Sequence, residues 1–158
     1  MKAMPIQAYV QIGKRPLVKS GLIEEPVDET YLTTVMKLCQ EKIDSFENLP
    51  GFASYFFSHQ YAISEKAENK VMKKEGAIDR LEELLPRLAA LQNWTQTEID
   101  SAFNQLADEK QLKPFAWYPI VRFSVSGTNS GPDFLPMLEV LGKERVLNRL
   151  ELAINKYH

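Results

Sequence analysis

Apolar residues recur at helical spacing along most of this chain, and a glycine or a proline stands at most of the places where the spacing stops. The segment from Gly131 to Ile154 shows this most sharply. Gly131-Pro132 marks a loop giving way to a helix, because proline's fixed φ suits the first helical position, where its missing N–H costs nothing. Leu135, Leu138 and Leu141 follow at helical intervals, and Gly142 stands where a left-handed residue would end that helix. Lys143 opens a second run, with Val146, Leu147, Leu150, Ala153 and Ile154 on one face. Two short helices meeting at a glycine are predicted.

The rest of the chain follows the same logic. Residues 1–24 only weakly suggest a helix, broken by Gly13 and Pro16. Asp28 is placed to cap a helix of four to five turns in which Tyr31, Leu32, Val35, Leu38, Cys39, Ile43 and Phe46 share a face. Pro50-Gly51 interrupts the chain, and Phe52, Tyr55, Phe56 and Phe57 form an aromatic cluster on a short helix. The polar join Ser58–Ala62 is the best internal boundary. Ser64 caps the next helix. Ile78, Leu81, Leu84, Leu85, Leu88 and Leu91 continue helical spacing, with Pro86 expected to kink or restart the helix. Thr95 and Glu98 form a capping box ahead of Ile99, Ala102, Phe103 and Leu106. The segment from Pro119 to Gly127 carries one cation, Arg122, among β-branched and aromatic residues, and by itself predicts a short strand. Seven or eight helices and no strand pair give an all-α architecture of two lobes, residues 1–63 and 64–158.

Catalytic chemistry finds little support in the residues present. The two histidines are His59, in a loop, and His158, the last residue. Neither a histidine pair for a metal nor a triad can be assembled from them. No Gly-x-x-x-x-Gly-Lys phosphate loop occurs. The lysines at 66, 70, 73 and 74 alternate with Glu65, Glu68 and Glu75, which describes a solvated helix face. Cys39 is the one cysteine; it excludes an internal disulfide and fits helix packing in an intracellular setting. No apolar run reaches the ~18 residues that span a membrane. A net charge of −2 argues against a protein that grips nucleic acid by bulk electrostatics. The charge is uneven, however: residues 110–158 hold seven Lys/Arg against four Asp/Glu.

One ordered set of motifs goes further. Pro119-x-x-Arg122, a small-residue turn at Gly127, the Gly131-Pro132 helix start and Leu-Gly-Lys-Glu-Arg-Val-Leu-x-Arg-Leu over 141–150 together resemble the C-terminal region of bacterial glutamyl-tRNA synthetases. Ser64-Glu-Lys-Ala67, Pro86-Arg-Leu88, Trp94-Thr95 and the run from Ile43 through Phe57 match in type and order, so the resemblance covers residues 25–155. It implies a two-lobed helical anticodon-binding domain of the class I type, in which the Arg122 segment is helical rather than extended. That family's catalytic half carries a His-Ile-Gly-His-like element and a Lys-Met-Ser-Lys-Ser-like loop for ATP, and neither occurs here. The resemblance therefore implies no catalytic site and no cofactor on this chain, ATP and Mg²⁺ belonging to a catalytic half found elsewhere. It describes an anticodon-binding piece, either excised or standing alone, and a start inside a helical region favours the former. The implied setting is cytoplasmic, and the implied partner is the anticodon loop of glutamate tRNA, with no membrane and no DNA.

Five positions carry the implied recognition. Arg122 matches an arginine that contacts the first anticodon base. Gly131, Pro132 and Phe134 match the loop and helix start packed against that base, although a member of the family has Thr and Leu where this chain has Gly131 and Phe134. Lys42 matches a position where many members use arginine to read the third base. A lysine ammonium cannot make the bidentate fork, so discrimination between glutamate and glutamine tRNAs stays open. Lys143, Glu144 and Arg145 read as helix start and interhelical pairing. The competing class is a helical protein-interaction module that kept the fold and lost RNA, which the net charge and Lys42 favour and Arg122 and the Gly131-Pro132 start oppose.

Overall fold

The computed structural model describes residues 3–157; His158 lies outside them. Among the described residues there are nine α-helices, two 3-10 turns and no strand, in agreement with the all-α expectation. The chain divides into two compact units, one holding the residues up to Tyr61 together with Gly131–Asp133, the other Ala62–Ser130 with Phe134 onward. No helix among the described residues is long and apolar enough to cross a membrane.

In the first unit α1 (Ile6–Lys19), α2 (Glu29–Gln40) and α3 (Leu49–Phe57) pack against one another. Asp28 caps α2 as expected, its carboxylate accepting from the Tyr31 N–H at 3.1 Å. The helix is shorter than its apolar spacing predicts. The Lys42 N–H bonds back to Cys39, three residues away, and the Ser45 hydroxyl accepts from Glu47 at 3.2 Å to open a 3-10 turn at Phe46–Asn48. Ser45 thus offers the backbone a local partner that competes with continuing the helix.

The expected break in α1 does not occur. The helix runs through both Gly13 and Pro16, and the reason is a close approach. A Cβ on Gly13 would lie 2.2 Å from Met36 Cε and 2.9 Å from Leu49 Cδ2. The absent side chain lets α1 settle onto α2 and α3 and bury Tyr9, Val10 and Leu17 with Leu32, Val35, Met36 and Cys39. Each large apolar side chain so buried is worth about 1.5–3 kcal/mol, more than the ~1 kcal/mol that a helical glycine costs.

The second unit holds α4 (Glu65–Val71), α5 (Ala77–Ala89), α6 (Gln96–Lys110), α7 (Tyr118–Ser126), α8 (Phe134–Leu141) and α9 (Lys143–Tyr157). Helix α9 lies along α5 and α7, α6 packs on α5 and α8, and α4 covers α7. Ser64 and Thr95 cap α4 and α6 as their sequences predict. At the start of α6 the anionic partner is Glu139 of α8, which accepts from the Gln96 N–H at 3.0 Å, a favourable placement at a helix N-terminus. Pro86 does not restart α5. Helix α8 begins at Phe134, two residues beyond Pro132, so that proline precedes the helix instead of occupying its first position. Gly142 has φ +91° and separates α8 from α9 as predicted. Lys143 donates to the Leu91 carbonyl just past α5 at 2.6 Å.

The local strand expectation for Pro119–Gly127 is overturned: these residues form α7 and its cap. Pro119 falls in the first turn, where it is tolerated. The hydroxyls of Ser124 and Ser126 fold back onto the carbonyls of Ile120 and Arg122 at 2.7 and 2.6 Å. Val121 and Val125 are fully buried and Ile120 and Phe123 nearly so. A helix apolar on several faces persists where neighbours cover those faces, and here that covering overrides β-propensity.

Two predictions follow from the first unit. Gly13→Ala should lower the urea midpoint, because overpacking of about 1–3 kcal/mol exceeds the gain of about 1 kcal/mol in helix propensity. Adding Met36→Ala should make the Gly13→Ala change less costly than it is alone, and a stabilised single variant would refute the close approach. Burial raises Cys39 from 9.0 and Tyr9 from 10.0, each to about 12. The folded state thus holds both protons more tightly than the unfolded chain, and their stabilisation is complete below pH 9 and lost as pH rises toward 12. Alkaline melts should show that decline, and Cys39 should resist thiol reagents until the protein unfolds.

Candidate nucleic-acid interface

Within the second unit Arg122 sits on α7, five residues before its left-handed Gly127 cap at φ +78°. Its guanidinium carbon stands 5.7 Å from the centroid of the Phe134 ring, and Nη1 lies 3.8 Å from the Met137 sulfur. Phe134 in turn stacks on Tyr118 with centroids 4.1 Å apart and planes 22° off parallel, and meets Phe103 edge-on at 5.6 Å. Burial, and then the charge of Asp100, hold the Tyr118 hydroxyl above its ordinary pKa of 10.0. The result is a half-buried cation laid over an aromatic wall. The ring beneath limits the conformations that such a cation can take.

Phe134 is only 8% exposed. Its ring is committed to Tyr118, Phe103 and Arg122, so its contribution is to hold the guanidinium instead of offering a bare face to a base. Tyr118 and Met137 belong to this cluster too and were not singled out in the sequence. Tyr118 immediately precedes the segment expected as a strand, and Met137 lies in the predicted helix beside the leucines that mark its spacing.

In the first unit Lys42 lies just beyond α2 and pairs with Asp133 at 3.3 Å, with side chains 42% and 60% exposed. Gly131, with φ +151°, and the buried Pro132 lead into that aspartate. An exposed pair of this kind is worth about 0–1 kcal/mol, so it is easily opened by a competing anion. No sequence pattern marks Asp133, which stands between two candidate residues. Each unit thus carries its own candidates, Arg122 with Phe134 in one and Lys42 with Gly131 and Pro132 in the other. Among the described residues no cluster of three His, Cys, Asp or Glu could hold a metal.

A family described as the anticodon binding domain matches residues 5–154. The chain belongs to that family. The match begins well before residue 25, so α1 is part of the shared domain and the likeness extends further toward the N-terminus than residue 25. Among curated relatives, a glutamate–tRNA ligase of Thermus thermophilus is 34% identical over 153 residues, covering 97% of this chain and 32% of that protein. One of Deinococcus radiodurans is 37% identical over 135 residues, covering 83% of this chain and 26% of its own. The chain spans about a third of the length of the curated relatives it matches. Among solved structures, a glutamate tRNA ligase of Elizabethkingia meningosepticum superposes with a TM-score of 0.83 at 22% identity, over 98% of this chain and 30% of that one. At that identity the likeness speaks for the fold alone, and it agrees with an all-α anticodon-binding domain.

The geometry separates core from contact in this anticodon-binding domain. Phe134→Ala should cost about 3–5 kcal/mol of unfolding free energy, as for other buried aromatics, and Asp133→Asn less than about 1 kcal/mol. Urea titration of both variants checks this; a small loss for Phe134→Ala would mean that the ring does not anchor the cluster.

Proposed function

We propose that this chain is the anticodon-binding module of a glutamate–tRNA ligase. It holds the anticodon loop of glutamate tRNA while a catalytic half outside this chain, using ATP and Mg²⁺, performs the glutamylation in the cytoplasm. The observation that carries this reading is the Arg122 guanidinium braced on Phe134 in a chain whose residues 5–154 match the anticodon binding domain. An anticodon is a single-stranded loop whose bases can splay out, stack and bond through their edges. A planar cation fixed at one height above a rigid wall can do both with one base. Lys42 supplies a second cation that can give up Asp133 for a phosphate or a base edge.

The test is a fluorescence-anisotropy titration with glutamate tRNA and a copy bearing altered anticodon bases, at two salt concentrations. The unaltered tRNA should bind more tightly. Arg122→Ala should remove about 1–3 kcal/mol of that preference, and Arg122→Lys should not restore it, since lysine lacks the fork. An unchanged preference in a folded Arg122→Ala variant would overturn the assignment. Binding that is indifferent to salt would favour the protein-interaction alternative, because phosphate contacts make affinity fall steeply with salt.

A further inference from the structure

A second basic surface lies in the second unit, away from the Arg122 cluster. A cleft of about 450 Å³ opens among α4, α5, the 3-10 turn at Pro114–Ala116 and α7, and neither Arg122 nor Phe134 lines it. Its walls carry three cations, Lys70, Lys74 and Arg80, against one carboxylate, Glu75, with Asn129 at the rim. Lys70 and Lys74 are exposed, and neither has an ion-pair partner among the described residues. Arg80 is fixed differently. Its Nη1 donates to the Ala116 carbonyl at 2.9 Å, and its guanidinium carbon stands 6.0 Å from the Trp117 ring centroid. One bond occupies one donor of a five-donor group, so Arg80 is oriented yet still able to bind an anion.

Apolar residues make up the rest of the lining, and among them Phe115 is the one aromatic ring, 66% exposed. A phenylalanine left this open gains little from burial. Here it stands at a cleft with positive walls, in a chain whose net charge is −2. That combination of a bare aromatic face with adjacent unpaired cations suits single-stranded nucleic acid, where each base has a face to stack and each link a phosphate to neutralise. A peptide ligand would need acidic side chains plus an apolar anchor, and the helices and 3-10 turn around the cleft offer no strand edge for its backbone to pair with.

We infer that this cleft is a second RNA subsite, in which one unpaired base stacks on Phe115 while Lys70, Lys74 and Arg80 hold the flanking phosphates. The inference rests on the RNA-binding reading above and extends it to residues that would contribute affinity without reading sequence. Recognition by Arg122 and grip by the cleft are then separable.

The test uses the intact chain and two RNA stem-loops, one carrying the glutamate anticodon and one with its anticodon bases exchanged. Phe115→Ala should weaken both by the same factor, roughly 5- to 100-fold, and Phe115→Tyr should keep near-native affinity because the ring remains. The double variant Lys70→Ala/Lys74→Ala should lower the slope of log affinity against log salt by about 1.4, the value for two single-strand phosphates. In every cleft variant the preference between the two stem-loops should be unchanged, whereas Arg122→Ala reduces it. All of these substitutions are at exposed positions except Arg122, and thermal melting verifies that each variant is folded.

Native preference together with native affinity in the Phe115→Ala and double-lysine variants would overturn the cleft and leave the anticodon reading standing. No RNA binding by the unsubstituted chain would overturn both. A free mononucleotide that binds the cleft as tightly as the stem-loops do would assign it to a small ligand and overturn the strand.

Discussion

The carbonyl groups at the C-terminal end of α7 are buried and must find donors inside the protein, and much of the second unit is arranged to supply them. Arg149 of α9, itself only 4% exposed, donates to the Val125 carbonyl at 2.7 Å. The Ser64 N–H, at the start of α4, donates to the Gly127 carbonyl at 2.8 Å. Gly127 closes the helix by adopting φ +78°, a conformation that side chains disfavour. Its own N–H returns to Phe123 at 2.7 Å. An unsatisfied buried carbonyl costs about 1–3 kcal/mol, so these bonds fix where α7 ends and how α4 and α9 meet it. Arg122 lies one turn back from that fixed end, and its height over Phe134 is set by the same arrangement.

A chain with net charge −2 can serve RNA only if its cations are placed locally. Pairing decides which are available. Lys14 is bound by Glu25 at 2.8 Å and Glu29 at 2.6 Å, Arg87 by Glu109 and Lys110 by Glu83, and these serve the fold. Lys42 has one exposed and weak partner. Lys70 and Lys74 have none among the described residues, and Arg80 leans on a carbonyl and a ring. Attraction at long range is then small, screened within about 10 Å at ordinary salt, and specificity has to come from contact geometry.

How much of this was legible in the sequence depended on whether the deciding force was local. Caps at Asp28, Ser64 and Thr95 are decided by the side chain and the next three residues, and all three stand as read. The left-handed end of α8 at Gly142 is of the same kind. The failures share the opposite origin. Residues 119–126 look like a strand until the cover provided by α4, α5 and α9 is known, and Gly13 looks like a break until Met36 and Leu49 are seen to occupy the space of its missing Cβ. Family resemblance corrects the first of these and not the second, because it begins at residue 25, beyond Gly13. In the candidate site the sequence could point to Arg122 and Phe134 individually. It could not show that the ring supports the guanidinium, since that relation depends on where α7 and α8 meet. Asp133 and Phe115 carried no pattern at all; one is a lone acid in a loop, the other an exposed ring that only its neighbours make meaningful.

The Arg122 cluster also bears on why phenylalanine stands at position 134. A leucine there would fill comparable space, but it has no ring face for either Tyr118 or the guanidinium. The stack on Tyr118 and the cation above it are each worth about 0.5–1.5 kcal/mol, and both act on the same ring. Their joint effect is to hold the arginine before any base arrives. An ordered cation pays less side-chain entropy on binding, where each immobilised long side chain costs about 0.5–1.5 kcal/mol. The aromatic residue thus acts on the guanidinium from beneath the surface, with little of its own ring exposed.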